Sequence, residues 1–133
     1  MNPPIGRLKR RAEFLRVAGE RNKWVAPGLV LQARSRGVDV GAPLAVDAIR
    51  VGFTVSRKVG GAVARNRARR RLRAAVAAIL PSCGRPGFDY VVIGRNATLS
   101  RPFNDLLGDL TLALDRLGRG RREARTSEAR RLS

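Results

Sequence analysis

The sequence predicts an α+β fold in which one small sheet packs against two or three helices, with a strongly basic helix set between two strands. Three observations carry this. In residues 49–56, Ile49, Val51, Phe53 and Val55 alternate with Arg50, Gly52, Thr54 and Ser56, the period-two pattern of a strand with one core-facing side. Phe88-Asp89-Tyr90-Val91-Val92-Ile93 is an apolar run of strand length that suits the middle of a sheet. Between them, apolar residues recur at helical spacing from about Ala62 to Leu80. With 133 residues, 44% of them hydrophobic, the chain can bury one core, and a single domain over 1–118 is expected.

Taken in order, Arg7 to Gly19 reads as a short basic segment and a helical turn, with Phe14, Leu15, Val17 and Ala18 as its apolar contacts and Gly19 as its stop. After Pro27-Gly28, Leu29-Val30-Leu31-Gln32-Ala33-Arg34 reads as a strand, and residues 35–47 as a loop rich in Gly, Asp and Pro. Strand 49–56, the basic helix and strand 88–93 follow, the helix ending near Pro81-Ser82. Ser100 is the expected cap of a last helix whose stripe is Phe103, Leu106, Leu107, Leu110, Ala113, Leu114 and Leu117, closed by Gly118. Asp105, Asp109 and Asp115 are placed on its other sides. Residues 119–133, basic and nearly free of apolar side chains, are expected to form a disordered tail. A strand-helix-strand unit crosses over right-handedly by default.

Charge narrows the partner. Lys and Arg number 28 against 10 Asp and Glu, a net charge of +18, far beyond what solubility requires. Such a field favours polyanions. No stretch approaches the ~20 apolar residues of a spanning helix, so a membrane is not the expected partner. One Cys and no His exclude an internal disulfide and a Cys/His zinc site, and a cytoplasmic location fits best.

The run from Arg57 to Arg73 carries Arg57, Lys58, Arg65, Arg67, Arg69, Arg70, Arg71 and Arg73 and no acidic residue. Solvated helices usually intersperse Glu with Lys or Arg to gain i,i+4 pairs, and this one has none. At 100° per residue, Ala64, Ala68, Leu72, Ala75, Val76 and Ile79 share one side, while Asn66, Arg69, Arg70 and Arg73 share the other with Arg67 nearby. Arg65, nearer the apolar arc, lies in the first turn and can project toward Arg57-Lys58. One continuous basic surface is expected, able to reach several backbone phosphates. Gly60-Gly61 before the helix leaves amides free for an anion, but GxxxxGK[ST] is absent, so a phosphate of an RNA backbone is expected rather than a nucleotide.

Catalytic chemistry in the chain itself is not expected. The usual general base, His, is missing, and Asp39, Asp47 and Asp89 are scattered among loops and a strand start rather than gathered to hold magnesium.

The stretch Val59-Gly60-Gly61-Ala62-Val63-Ala64-Arg65-Asn66-Arg67-Ala68-Arg69-Arg70-Arg71-Leu72-Arg73 resembles the Arg-Asn-Arg signature of the bacterial ribonuclease P protein subunit. Arg7-Leu8-Lys9 with Glu13-Phe14, Arg50 to Gly60 and Asp89 to Arg95 resemble further parts of that family, covering roughly residues 7 to 115. The resemblance implies an accessory subunit of a ribonucleoprotein whose RNA, with magnesium ions, removes the 5′ leader from precursor transfer RNA. It implies that Arg57, Lys58, Arg65, Asn66, Arg67, Arg69, Arg70 and Arg73 lie against the catalytic RNA. It also implies a left-handed crossover around the basic helix, against the default, and a cleft for the single-stranded leader in which Phe14 stacks on a base. Ala18 and Gln32 stand where relatives carry aromatic rings, so Phe14, polar groups such as Gln32, and Trp24 are the expected leader contacts. Ala68 and Arg71 are lesser departures from the signature. A basic ribosomal protein or general RNA-annealing module is the competing expectation, and a self-sufficient metal nuclease a third.

Overall fold

Side-chain alternation along three strands divides this fold into two layers of packing. The computed structural model describes residues 5–36 and 48–118; of the loop expected over 35–47, Ser35 instead ends a strand, while residues 37–47 and the tail over 119–133 lie outside them. In chain order the elements are β1 (Ile5–Arg7), α1 (Arg11–Gly19), β2 (Lys23–Val25), β3 (Leu29–Ser35), β4 (Ile49–Thr54), a 3-10 turn (Arg57–Val59), α2 (Ala62–Cys83), β5 (Phe88–Gly94), a second 3-10 turn (Asn96–Leu99) and α3 (Phe103–Gly118). The sheet runs β1-β4-β5-β3-β2. β4 is parallel to both β1 and β5, whereas β3 is antiparallel to β5 and β2. The strand read as central from its apolar run, β5, is the middle strand.

Leu29, Leu31 and Ala33 of β3, Ile49 and Val51 of β4, and Tyr90 and Val92 of β5 point to one side, where they meet Ala68, Leu72, Ala75, Val76 and Leu80 of α2 and the stripe of α3. Leu106, Leu110, Ala113, Leu114 and Leu117 of that stripe are buried. At ~1.5–3 kcal/mol for each large side chain removed from water, this face supplies most of the apolar stabilisation. On the other side of the sheet, Val91 meets Leu8, Val17, Phe14 and Ile93, so α1 covers only a small second core.

Several expectations are corrected. β1 and β2 are strands of three residues each, too short to show a period-two pattern. Leu15 and Ala18 are exposed, because α1 is a single short helix lying on one sheet face with room for Phe14 and Val17 alone. α2 runs through Pro81 to Cys83: in the last turn a proline forfeits one hydrogen bond, and its fixed φ remains helical. Ser100 ends the second 3-10 turn rather than capping α3, which starts at Phe103, itself 39% exposed.

Asp109, assigned above to the polar side of α3, is buried and accepts from the Gly28 N–H at 2.9 Å and from Arg101 Nε and Nη2 at 2.5 and 3.0 Å. Thr98, fully buried, donates to the Gly28 carbonyl at 2.6 Å. The N–H and the carbonyl of Gly28 are thereby both satisfied, by α3 and the turn before it, as a buried backbone requires.

Candidate RNA interface

The approach to α2 is fixed by backbone geometry. Val59 packs against the main core and holds the 3-10 turn in place, which leaves Arg57 and Lys58 exposed on its outer side. The chain then passes through Gly60 at φ +150°, where a Cβ would lie 2.8 Å from that of Ala64. Only glycine fits there. Gly61 is the N-cap, no side chain caps the first turn, and no acidic residue lies in it, so the amides and dipole of the helix start add positive potential beside the basic loop.

Along α2 the expected division of faces holds. Asn66, Arg69, Arg70 and Arg73 come together with Val63 around a shallow trough of about 490 Å³, and Arg67 is exposed nearby. Val63, 84% exposed, is apolar surface within this face. Arg65 is half-buried with an unpartnered Nε, in keeping with its place near the apolar arc. None of Arg57, Lys58, Arg65, Arg67, Arg69, Arg70 and Arg73 enters an ion pair among the described residues. The guanidinium of Arg73 instead lies 5.9 Å from the Phe53 ring centroid, a cation–π distance. Arg71 is drawn away from the surface, its Nη2 donating to the Arg101 carbonyl and tying α2 to the start of α3. This basic side chain thus serves the fold.

On the α1 side of the sheet, Gly52, Val91, Gln32 and Lys23 lie in one row across four strands. Phe14 stands over this row at Gly52, where a Cβ would lie 2.4 Å from the ring. Phe14 and Gln32 therefore share a face. Trp24 does not: it pairs with Leu31, packs on the main core, and has the Arg116 guanidinium 5.7 Å from its ring. A one-residue step along a strand reverses the face, which places Lys23 rather than Trp24 beside Gln32.

A network of charges holds α1 to this face. Arg50 Nη1 donates to Glu13 Oε2 at 2.6 Å, and its Nε and Nη2 clasp Asp89 at 2.8 and 2.6 Å. Arg36 Nη1 donates to the same carboxylate at 2.6 Å, and the Arg36 Nη2 to the Ala48 carbonyl. Asp89 is buried, and two guanidiniums supply the compensation that burial demands. For Glu13, burial raises the carboxyl pKa, but the amides of Arg10 and Lys9 and the charge of Arg50 outweigh it against the opposing Asp89, leaving it below its ordinary value.

Arg7 and Lys9, read in the sequence only as a basic segment, join Phe14, Arg69 and Arg73 around a groove of about 210 Å³. Their signal was their charge; their meeting with α2 depends on β1. The carboxylates of Glu13, Asp89 and Asp109 are committed to arginines, and no three His, Cys, Asp or Glu residues gather as metal ligands among the described residues. No helix among them is long and apolar enough to cross a membrane.

The chain is similar to the ribonuclease P protein component of Paramagnetospirillum magneticum, 59% identical over 114 residues, covering 86% of this chain and 84% of that one. It is 53% identical to that of Ruegeria pomeroyi, covering 85% and 86%. The solved ribonuclease P protein from Thermotoga maritima superposes with a TM-score of 0.65 at 28% identity, covering 85% of this chain and 96% of that one. The Staphylococcus aureus protein, at 24% identity and a TM-score of 0.65, shares the fold. The family model described as Ribonuclease P matches residues 3–118, from β1 through α3, and the chain belongs to the ribonuclease P protein family.

Proposed function

We propose that this protein binds the catalytic RNA of ribonuclease P through α2 and the turn before it, and holds the single-stranded 5′ leader of precursor transfer RNA on the α1 face of the sheet. The observation that carries this reading is the uncompensated basic face: Asn66, Arg69, Arg70 and Arg73 around one trough, continued by Arg57, Lys58, Arg65 and Arg67, with no acid to neutralise it. Guanidiniums held on a rigid helix suit the bidentate, register-fixing contacts that phosphates take.

Phe14 and Gln32, with Lys23, form the leader platform. An aromatic ring beside polar and basic groups accepts any base, worth ~1–3 kcal/mol per stack, as a subunit serving many leaders requires. This reading leaves Trp24 out of the platform, because it packs against the core on the opposite face. Glu13, Asp89 and Asp109 are each paired with arginine, which leaves these three carboxylates poorly suited to hold magnesium. Magnesium ions and the hydrolytic groups belong to the RNA in this reading, and the chain contributes affinity and position.

Precursor transfer RNA incubated at low magnesium with protein alone, with the matching catalytic RNA alone, and with both, tests the proposal. Cleavage at the mature 5′ end that needs both is the expected result. Cleavage by protein alone would make it a nuclease in its own right. Binding without any effect on processing would make it a general RNA-binding protein.

A further inference from the structure

The described residues leave an apolar trough on the α2 side of the sheet edge. β1 stops at Arg7, opposite Val51, so among the described residues β4 from Phe53 onward has no neighbouring strand on that edge. Beside β1, Ile5, 41% exposed, faces Val76, Ala77 and Pro81 across a cavity of about 540 Å³ that Arg7 and Arg73 also line. Arg7, Val51, Phe53 and Arg73 line the smaller groove that reaches Phe14 as well. The two cavities thus adjoin along these four shared residues, beside the end of β4.

We propose that the trough holds the base of an unpaired ribonucleotide, a farther nucleotide of the strand that crosses Phe14, with its phosphate between Arg7 and Arg73. The walls are apolar, as the face of a base requires, and no acidic residue lines them. Arg73, whose guanidinium lies 5.9 Å from the Phe53 ring centroid, presents a planar cation that can stack on a base and bond a phosphate. Bracketed by two arginines and continuous with the basic face of α2, the trough is complementary to a polyanion rather than to a neutral protein segment. This inference rests on the RNA-binding reading above and adds to it a second subsite.

The test is a titration of the full-length, 15N-labelled protein with tetrauridylate, followed by amide shifts, alongside filter binding of the catalytic RNA. Shifts are expected at Gly6, Arg7 and Ala77. Ala77→Phe, which fills the trough from an exposed position, should abolish them and weaken tetrauridylate at least about fivefold, the loss of one stack. Ile5→Ser serves should that variant melt early. Phe14→Ala should leave the Ala77 shift in place. Shifts confined to the surroundings of Phe14, Gln32 and Lys23 would overturn the proposal, as would equal shifts with inorganic phosphate alone. Concentration-dependent sedimentation that Ala77→Phe abolishes, without oligonucleotide shifts, would assign the trough to a second copy of the chain instead. Catalytic RNA affinity reads the underlying premise separately: wild type that fails to bind it defeats the RNA-binding reading itself, whereas binding retained in both wild type and Ala77→Phe leaves that reading standing and isolates the trough.

Discussion

Gly52→Ala is the sharpest probe of how the leader platform is built. The added Cβ would lie 2.4 and 2.5 Å from Cε1 and Cζ of Phe14 and 3.1 Å from the Leu8 Cβ. Carbon atoms rest at ~3.5–4.0 Å, so the ring must withdraw by about 1 Å or more. α1 cannot simply lift away, since Glu13 is held by Arg50 at 2.6 Å and the Leu8 N–H by the Val51 carbonyl at 3.0 Å. Overpacking of this kind costs ~1–3 kcal/mol, and each kcal/mol lowers Tm by roughly 2–8 °C in domains of this size class. Phe14→Ala removes the group that is struck, so the double variant should be no less stable than Phe14→Ala alone, a coupling of about 1 kcal/mol or more. Urea or thermal denaturation of the two single variants and the double variant measures it. Additive losses would refute the packing argument. In cleavage assays both single variants should impair substrates with leaders of several nucleotides far more than one-nucleotide leaders. Equal impairment of both substrates would show that Phe14 serves the core alone.

Replacing Arg65 and Arg67 together by Ala should weaken catalytic RNA binding and lower the log–log salt slope by about one unit per lost phosphate contact, with little change in Tm; an unchanged slope in the folded variant removes those residues from the interface. Because the Glu13 carboxyl pKa is lowered in the fold, its contribution to stability is complete above its unfolded value of about 4.3 and is lost as pH falls through the lower folded value. The stability gap between wild type and Glu13→Gln should therefore narrow below about pH 4 in urea titrations, and a gap constant from neutral pH to pH 3 would contradict the assignment. Asp109→Ala should cost ~1–3 kcal/mol by leaving the buried Gly28 N–H without an acceptor, and Asp109→Asn, which keeps a carbonyl there, should recover part of that loss in the same denaturation assay.

Local patterns determined a large part of this protein. The alternation of 49–56, the apolar run at 88–93 and the helical spacing of 62–80 each record how one element meets a core, so strand, helix and basic face were legible without any knowledge of neighbours. The face shared by Asn66, Arg69, Arg70 and Arg73 followed in the same way, because the residues of a helix fix their own mutual geometry. What tertiary structure decided is every relation between elements distant in sequence. Three-residue strands such as β1 and β2 exist only because β4 and β3 offer them edges, and β1 is what carries Arg7 to α2. Asp109 looks solvated on its own helix and is buried because Gly28 arrives opposite it. Trp24 and Gln32 fall on opposite faces through the register of β2 on β3, a pairing no composition rule encodes. The row that joins Gly52 to Lys23 is likewise a product of sheet order, since strands far apart in the chain become neighbours only when the whole core closes.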